Sequence, residues 1–136
     1  MGTDADQRLR AVIGFRIYAI ELLGLVRLIL ADREPLSLLA PGDGTPRRVY
    51  RISIESPFHV SDTETDTLIA YQPWNNTRPS GLNELAELFR ATIDEATGVW
   101  DRSLTLKLTT QHAQKRVLQL DGASGYEAWR LEGPMT

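Results

Sequence analysis

The stretch Gly98–Pro134, GVWDRSLTLKLTTQHAQKRVLQLDGASGYEAWRLEGP, decides the fold class. Leu104, Leu106 and Leu108 alternate with Ser103, Thr105, Lys107 and Thr109, the period of a half-buried strand. Val117 and Gln119 then alternate with Arg116, Leu118 and Leu120, and Thr110–Gln114 is the connection. Asp121-Gly122 is a turn dipeptide, and Gly125 helps the next turn. Tyr126–Leu131 is a third alternating run, with Glu127, Trp129 and Leu131 on one face. Three strands in succession with short turns imply an antiparallel sheet.

Upstream, Leu82, Leu85, Ala86, Phe89 and Ile93 recur at helical spacing, with Ser80 as N-cap and Gly98 as stop. This predicts one main helix over about residues 81–96. Before it, Gln72–Gly81 (QPWNNTRPSG) is a loop by composition, and Leu68–Tyr71 is a short apolar run. Val49–Val60 (VYRISIESPFHV) alternates cleanly, and Pro57 belongs at its end or at an edge because proline cannot donate to a ladder. Asp32–Arg48 is punctuated by Pro35, Pro41, Gly42, Gly44 and Pro46, with room for a short strand at Leu36–Leu39.

Ala11–Ala31 is apolar but is interrupted by Arg16, Glu21 and Arg27. A charge near a bilayer centre costs roughly 2.5–3.5 kcal/mol on insertion scales, so the segment reads as core rather than as a membrane span. Gly14, Gly24 and the β-branched and aromatic residues favour a hairpin. A single amphipathic helix is the alternative, since Ile13, Ile17, Ile20 and Gly24 also fit helical spacing. Met1–Arg10 is polar and reads as a mobile tail before one domain over 11–136. The expectation is an α+β domain: a mostly antiparallel sheet of about six to eight strands with the 81–96 helix packed on one face.

Composition restricts the function classes. The chain has 136 residues, 42% of them hydrophobic and 24% charged, as in ordinary globular domains. The net charge of −3 gives no basic field for nucleic acid. No cysteine is present, which excludes disulfides, thiolate nucleophiles and Cys-type zinc sites, and fits a cytoplasmic location. Asp62-Thr63-Glu64-Thr65-Asp66 alternates like a calcium loop, but Thr67 and Pro73 stand where glycine and glutamate are required. No metal or cofactor is therefore expected. No phosphate loop, GxSxG or HExxH pattern occurs.

His59 and His112 lie far apart in sequence and read as surface or strand-end residues. Glu55, Glu127 and Glu132 would make a carboxylate site if their strands were neighbours; a cross-strand partner for Arg51 or Arg130 is the simpler role. Trp74, beside Asn75, Asn76, Thr77 and Arg78 and close to Tyr71, has the composition of an interface hot spot. Tyr71, Trp74, Asn75, Asn76, Arg78, Glu55 and Glu127 are the candidate partner-binding residues.

Two segments resemble an uncharacterised, mainly actinobacterial family of small proteins. They are Ile52-Ser53-Ile54-Glu55-Ser56-Pro57-Phe58 and Tyr126-Glu127-Ala128-Trp129-Arg130-Leu131-Glu132-Gly133-Pro134. They match that family's I-x-I-E-x-P-F and Y-E-A-W-x-L-x-G-P strands, and the family supplies no catalytic residues. By analogy the resemblance implies an immunity-like, non-enzymatic module that binds a toxin-like protein. The alternatives are a structural homodimer pairing through an exposed strand such as Tyr50–Ser56, and a small-ligand-binding sheet. A small enzyme using Glu55, Glu127 or His59 ranks below these.

Overall fold

Residues 16–31 fold as a hairpin, the first of the two readings of that apolar stretch. The structure, a computed structural model, describes residues 4–22, 25–32, 48–56, 58–62, 67–71, 85–100, 102–121 and 128–135. Helix α1 (Asp4–Leu9) leads through a short 3₁₀ turn (Arg10–Val12) into β1 (Arg16–Leu22) and β2 (Val26–Ala31). Then come β3 (Val49–Ile54), β4 (Phe58–Ser61), β5 (Thr67–Tyr71), β6 (Thr92–Val99), β7 (Ser103–Thr109), β8 (Lys115–Asp121) and β9 (Trp129–Met135).

The nine strands among the described residues join one antiparallel sheet in the order β5-β4-β8-β7-β6-β1-β2-β3-β9. The α+β class with a mostly antiparallel sheet stands, with one strand more than expected and a smaller helix. That sheet is strongly curled. β3 and β4 lie six positions apart in it, which would be about 29 Å in a flat sheet. The chain from Ile54 to Phe58 reaches at most about 14 Å. The β3–β4 connection therefore crosses between two layers. The leucines of β7 and β8 meet Leu28, Leu30, Ile52 and Ile54 in one apolar cluster that runs in sequence from Ala5 to Leu131.

α1 holds the curl at one end. The Asp6 carboxylate accepts the Gly98 N–H of β6 at 2.8 Å, and Arg8 donates to the Gly133 carbonyl of β9 at 3.3 Å. Ala5 and Leu9 are fully buried between these contacts. The segment expected to be a polar tail thus contributes residues 4–9 to the core. Its acidic and basic side chains hid a two-residue apolar stripe, Ala5 and Leu9, at the i, i+4 spacing of a short helix.

The helix expected over 81–96 is not what this region forms. Residues 81–84 lie outside the described residues; Leu85–Arg90 is a helical turn with i→i−3 bonds from Leu88 and Phe89, and Arg90 has a positive φ of 67°. A left-handed residue ends a helix. Thr92–Val99 then pairs along β7, with β-branched Thr92, Ile93, Thr97 and Val99 suited to a pleated surface. Pairing in the β6–β7 hairpin outweighs the helical stripe, of which Phe89 is left 39% exposed.

Val49–Val60 is also two strands rather than one. The ladder stops at Ile54, and β4 restarts at Phe58 in the other layer. β3 is flanked by β2 and β9, so Tyr50–Ser56 offers no open edge for a homodimer. The candidate strand Leu36–Leu39 and the cap Ser80 lie outside the described residues.

Candidate functional site

Strands β3 and β9 lie side by side. Ile54 pairs with Trp129, Ser53 with Arg130, Ile52 with Leu131 and Arg51 with Glu132. Alternation along both strands sends Ile52, Ile54, Trp129 and Leu131 inward, where all are buried. The residues between them face outward, together with their partners on β1 and β2.

That outer face has a defined pattern. Glu21, Arg27, Ser53 and Arg130 form one cross-strand row. Ala19, Ile29, Arg51 and Glu132 form the next. Directly opposed side chains start about 4.5–5.5 Å apart, so Ser53 has an arginine on each flank, with Arg51 two residues before it on the same face of β3. Arg51 donates to Glu132 at 3.2 Å, which Arg130 also approaches at 3.6 Å; Arg27 lies 3.8 Å from Glu21. The expected role of a glutamate as cross-strand partner for Arg51 or Arg130 is thus filled by Glu132.

Three buried polar atoms in this patch have no hydrogen-bond partner: the Ser53 hydroxyl and the Nε atoms of Arg27 and Arg51. Ser53 is 2% exposed, although it occupies an outward position. Buried donors without acceptors are uncommon and each costs roughly 1–3 kcal/mol. Their concentration around one serine marks this face. The half-buried arginines are of the type that anchors protein interfaces. Elsewhere the outer face differs: Thr97, Thr105, Gln119 and His59 form a row without arginine.

A second feature is a cleft of about 250 Å³ lined by Ala86, Glu87, Thr110, Gln111, His112 and Gln114. Arg116 pairs with two of the lining residues, Glu87 at 3.4 Å and Gln114 at 3.0 Å. The Thr110 hydroxyl accepts the backbone N–H groups of His112 and Gln114, which shapes the β7–β8 turn.

Of the residues singled out in the sequence, Trp74, Asn75, Asn76, Arg78 and Glu127 lie outside the described residues; Tyr71 ends β5 and its side chain is not described. Glu55 and His59 are both exposed, on either side of the β3–β4 crossing. His59 stands opposite Gln119, four residues along β8 from Lys115, while His112 lies beyond Lys115 in the turn. The two histidines are therefore separated by at least about 14 Å along the strands. Among the described residues no three metal-ligating side chains cluster, and no helix is long and apolar enough to cross a membrane.

The arginine–serine patch was not singled out in the sequence. Its members lie on three strands, and only the register brings them together. The outward positions within R-I-S-I and W-R-L-E carried the available signal. Comparisons with protein-family models, with curated proteins and with solved structures each return no match.

Proposed function

We propose that this chain is a non-enzymatic protein-binding module whose contact surface is the outer face of β1, β2, β3 and β9. The observation that carries this reading is the arginine-flanked Ser53, with its unpartnered hydroxyl beside two unpartnered guanidinium Nε atoms. A sheet with a filled apolar interior presents its chemistry outward, and sheet faces of this type suit a flat macromolecular partner. The resemblance of the two adjacent strand segments to an uncharacterised bacterial family adds an immunity-like reading, in which the module occludes a toxin-like protein in the cytoplasm.

The test is affinity capture with the full chain against the protein encoded by the neighbouring gene. Saturable binding that competes with that protein's activity supports the module. No binding, together with turnover of a small substrate by the chain alone, overturns it.

A further inference from the structure

We propose that residues 4–12, helix α1 with its 3₁₀ turn, are a strap across the seam between β6 and β9. The strap opens as one unit while the sheet stays folded. Among the described residues β6 pairs with β1 only at Arg16–Thr92, and β9 is the last strand of the sheet, so each has a second edge. α1 reaches both. The Asp6 carboxylate accepts the Gly98 N–H of β6 at 2.8 Å, and Arg8 donates to the Gly133 carbonyl of β9 at 3.3 Å. Asp4 accepts the Trp100 indole N–H at 3.1 Å, and the Arg8 guanidinium lies 5.8 Å from the centre of that ring. One acidic and one basic side chain thus stand where a further strand would bond.

Three features make this unit separable. A six-residue helix has no stability of its own, so α1 persists only while these contacts hold. α1 precedes β1 and pairs with no strand, so its departure breaks no ladder. A hinge lies directly after it: Ile13 leaves the helical region at ψ 130°, and Gly14 takes a φ of 90° where an added Cβ would meet nothing within 4 Å. Beyond that hinge the Gly14 N–H bonds to the Ile93 carbonyl at 2.7 Å and the Ile93 N–H to the Phe15 carbonyl at 2.9 Å, which anchors the start of β1 without α1. Opening removes Ala5, Leu9 and Val12 from the core and breaks the bond from the Phe15 N–H to the Val12 carbonyl, a small part of what holds the sheet. Closed, α1 belongs to the core. Open, it uncovers the Gly98 N–H, the Gly133 carbonyl and the Trp100 ring stacked on Trp129.

Native-state hydrogen exchange of the ¹⁵N-labelled full chain in low urea tests the strap, read at the Leu9, Gly98 and Leu106 amides. Leu9 and Gly98 should share one protection factor, at least about tenfold below that of Leu106 and with a smaller urea dependence. Arg8→Ala removes the β9 contact and leaves the Asp6–Gly98 bond in place, yet it should lower the protection of Leu9 and Gly98 by one common factor, about threefold to tenfold. Val60→Ala opens a cavity on β4, in the other part of the sheet. It should lower Leu106 protection by about tenfold and leave Leu9 and Gly98 unchanged.

Equal protection at all three amides, or Leu9 and Gly98 falling with Leu106 in Val60→Ala, would make α1 inseparable from the sheet and overturn the strap. Gly98 protection that does not respond to Arg8→Ala would also overturn it, because the two ends of α1 would then not move together.

Discussion

Trp129 on β9 donates its indole N–H to the carbonyl of Val99 at the end of β6, 3.0 Å away, although three strands stand between them in the sheet. In a flat sheet the two strands would lie about 19 Å apart. The bond therefore records the curl of the sheet in a single contact. Trp100 stacks on the same indole with ring centroids 4.8 Å apart, and Asp4 of α1 accepts the Trp100 Nε1–H at 3.1 Å. Helix, β6 and β9 meet at this point.

Trp129→Phe should keep most of the packing and remove one of the two hydrogen bonds the Val99 carbonyl accepts, the other coming from the Arg102 N–H at 3.1 Å, for a loss of about 0.5–1.5 kcal/mol. Trp129→Ala should remove the packing as well, for about 3–5 kcal/mol. Urea unfolding followed by far-ultraviolet circular dichroism gives both values. Equal, small losses for the two variants would show that the curl does not depend on this contact.

α1 is expected to behave as part of the core. Leu9→Ala removes a fully buried side chain and should destabilise by about 2–5 kcal/mol. Asp6→Ala leaves the Gly98 N–H without its carboxylate and should cost about 1.5–3 kcal/mol. A truly polar tail would tolerate both changes, so midpoints of denaturation decide between the two.

Gly98 has no room for a side chain. A Cβ there would lie 2.6 Å from the Ser103 carbonyl and 3.0 Å from the Trp129 ring. Gly98→Ala should therefore destabilise by about 1–3 kcal/mol, because the nearest obstacle is paired backbone and not a mobile side-chain end. Thr97→Ala, on the exposed position beside it, should change stability by no more than about 0.5 kcal/mol.

Ser53 separates binding from stability. Its buried hydroxyl has no partner, so Ser53→Ala should leave thermal stability unchanged or raise it by up to about 1 kcal/mol. Arg51→Gln should cost less than about 1 kcal/mol, as its ion pair with Glu132 is partly exposed. Large losses in either variant, measured by thermal unfolding, would assign the patch a role in holding the fold.

Much of the sheet was legible in the chain. Leu104, Leu106 and Leu108 announce a strand because one face meets the core and the other meets solvent, and that contrast is local. The hairpin at 16–31 was legible only as one of two alternatives, since apolar residues such as Ala19 and Ile29 on the outer face and the irregularity between Ile17 and Ala19 blur the alternation that identifies a strand.

Leu85–Ile93 misled because its helical spacing is real, yet Thr92–Val99 gains more from pairing with β7 across the Val99–Ser103 turn than from continuing a helix. The arginine–serine patch escaped for a different reason. Arg27, Ser53 and Arg130 are neighbours only through the β2–β3–β9 register, which no periodicity within one segment encodes.

The most direct test of the account compares two regions of the sheet's outer face. The chain carrying both Arg27→Gln and Arg51→Gln is measured beside one carrying Thr97→Gln and Thr105→Gln, against the neighbouring gene's protein by calorimetry. The account predicts that the arginine pair variant loses at least about tenfold in affinity while the threonine pair variant binds like wild type. Equal binding by the two variants, or loss confined to the threonine pair variant, would contradict it.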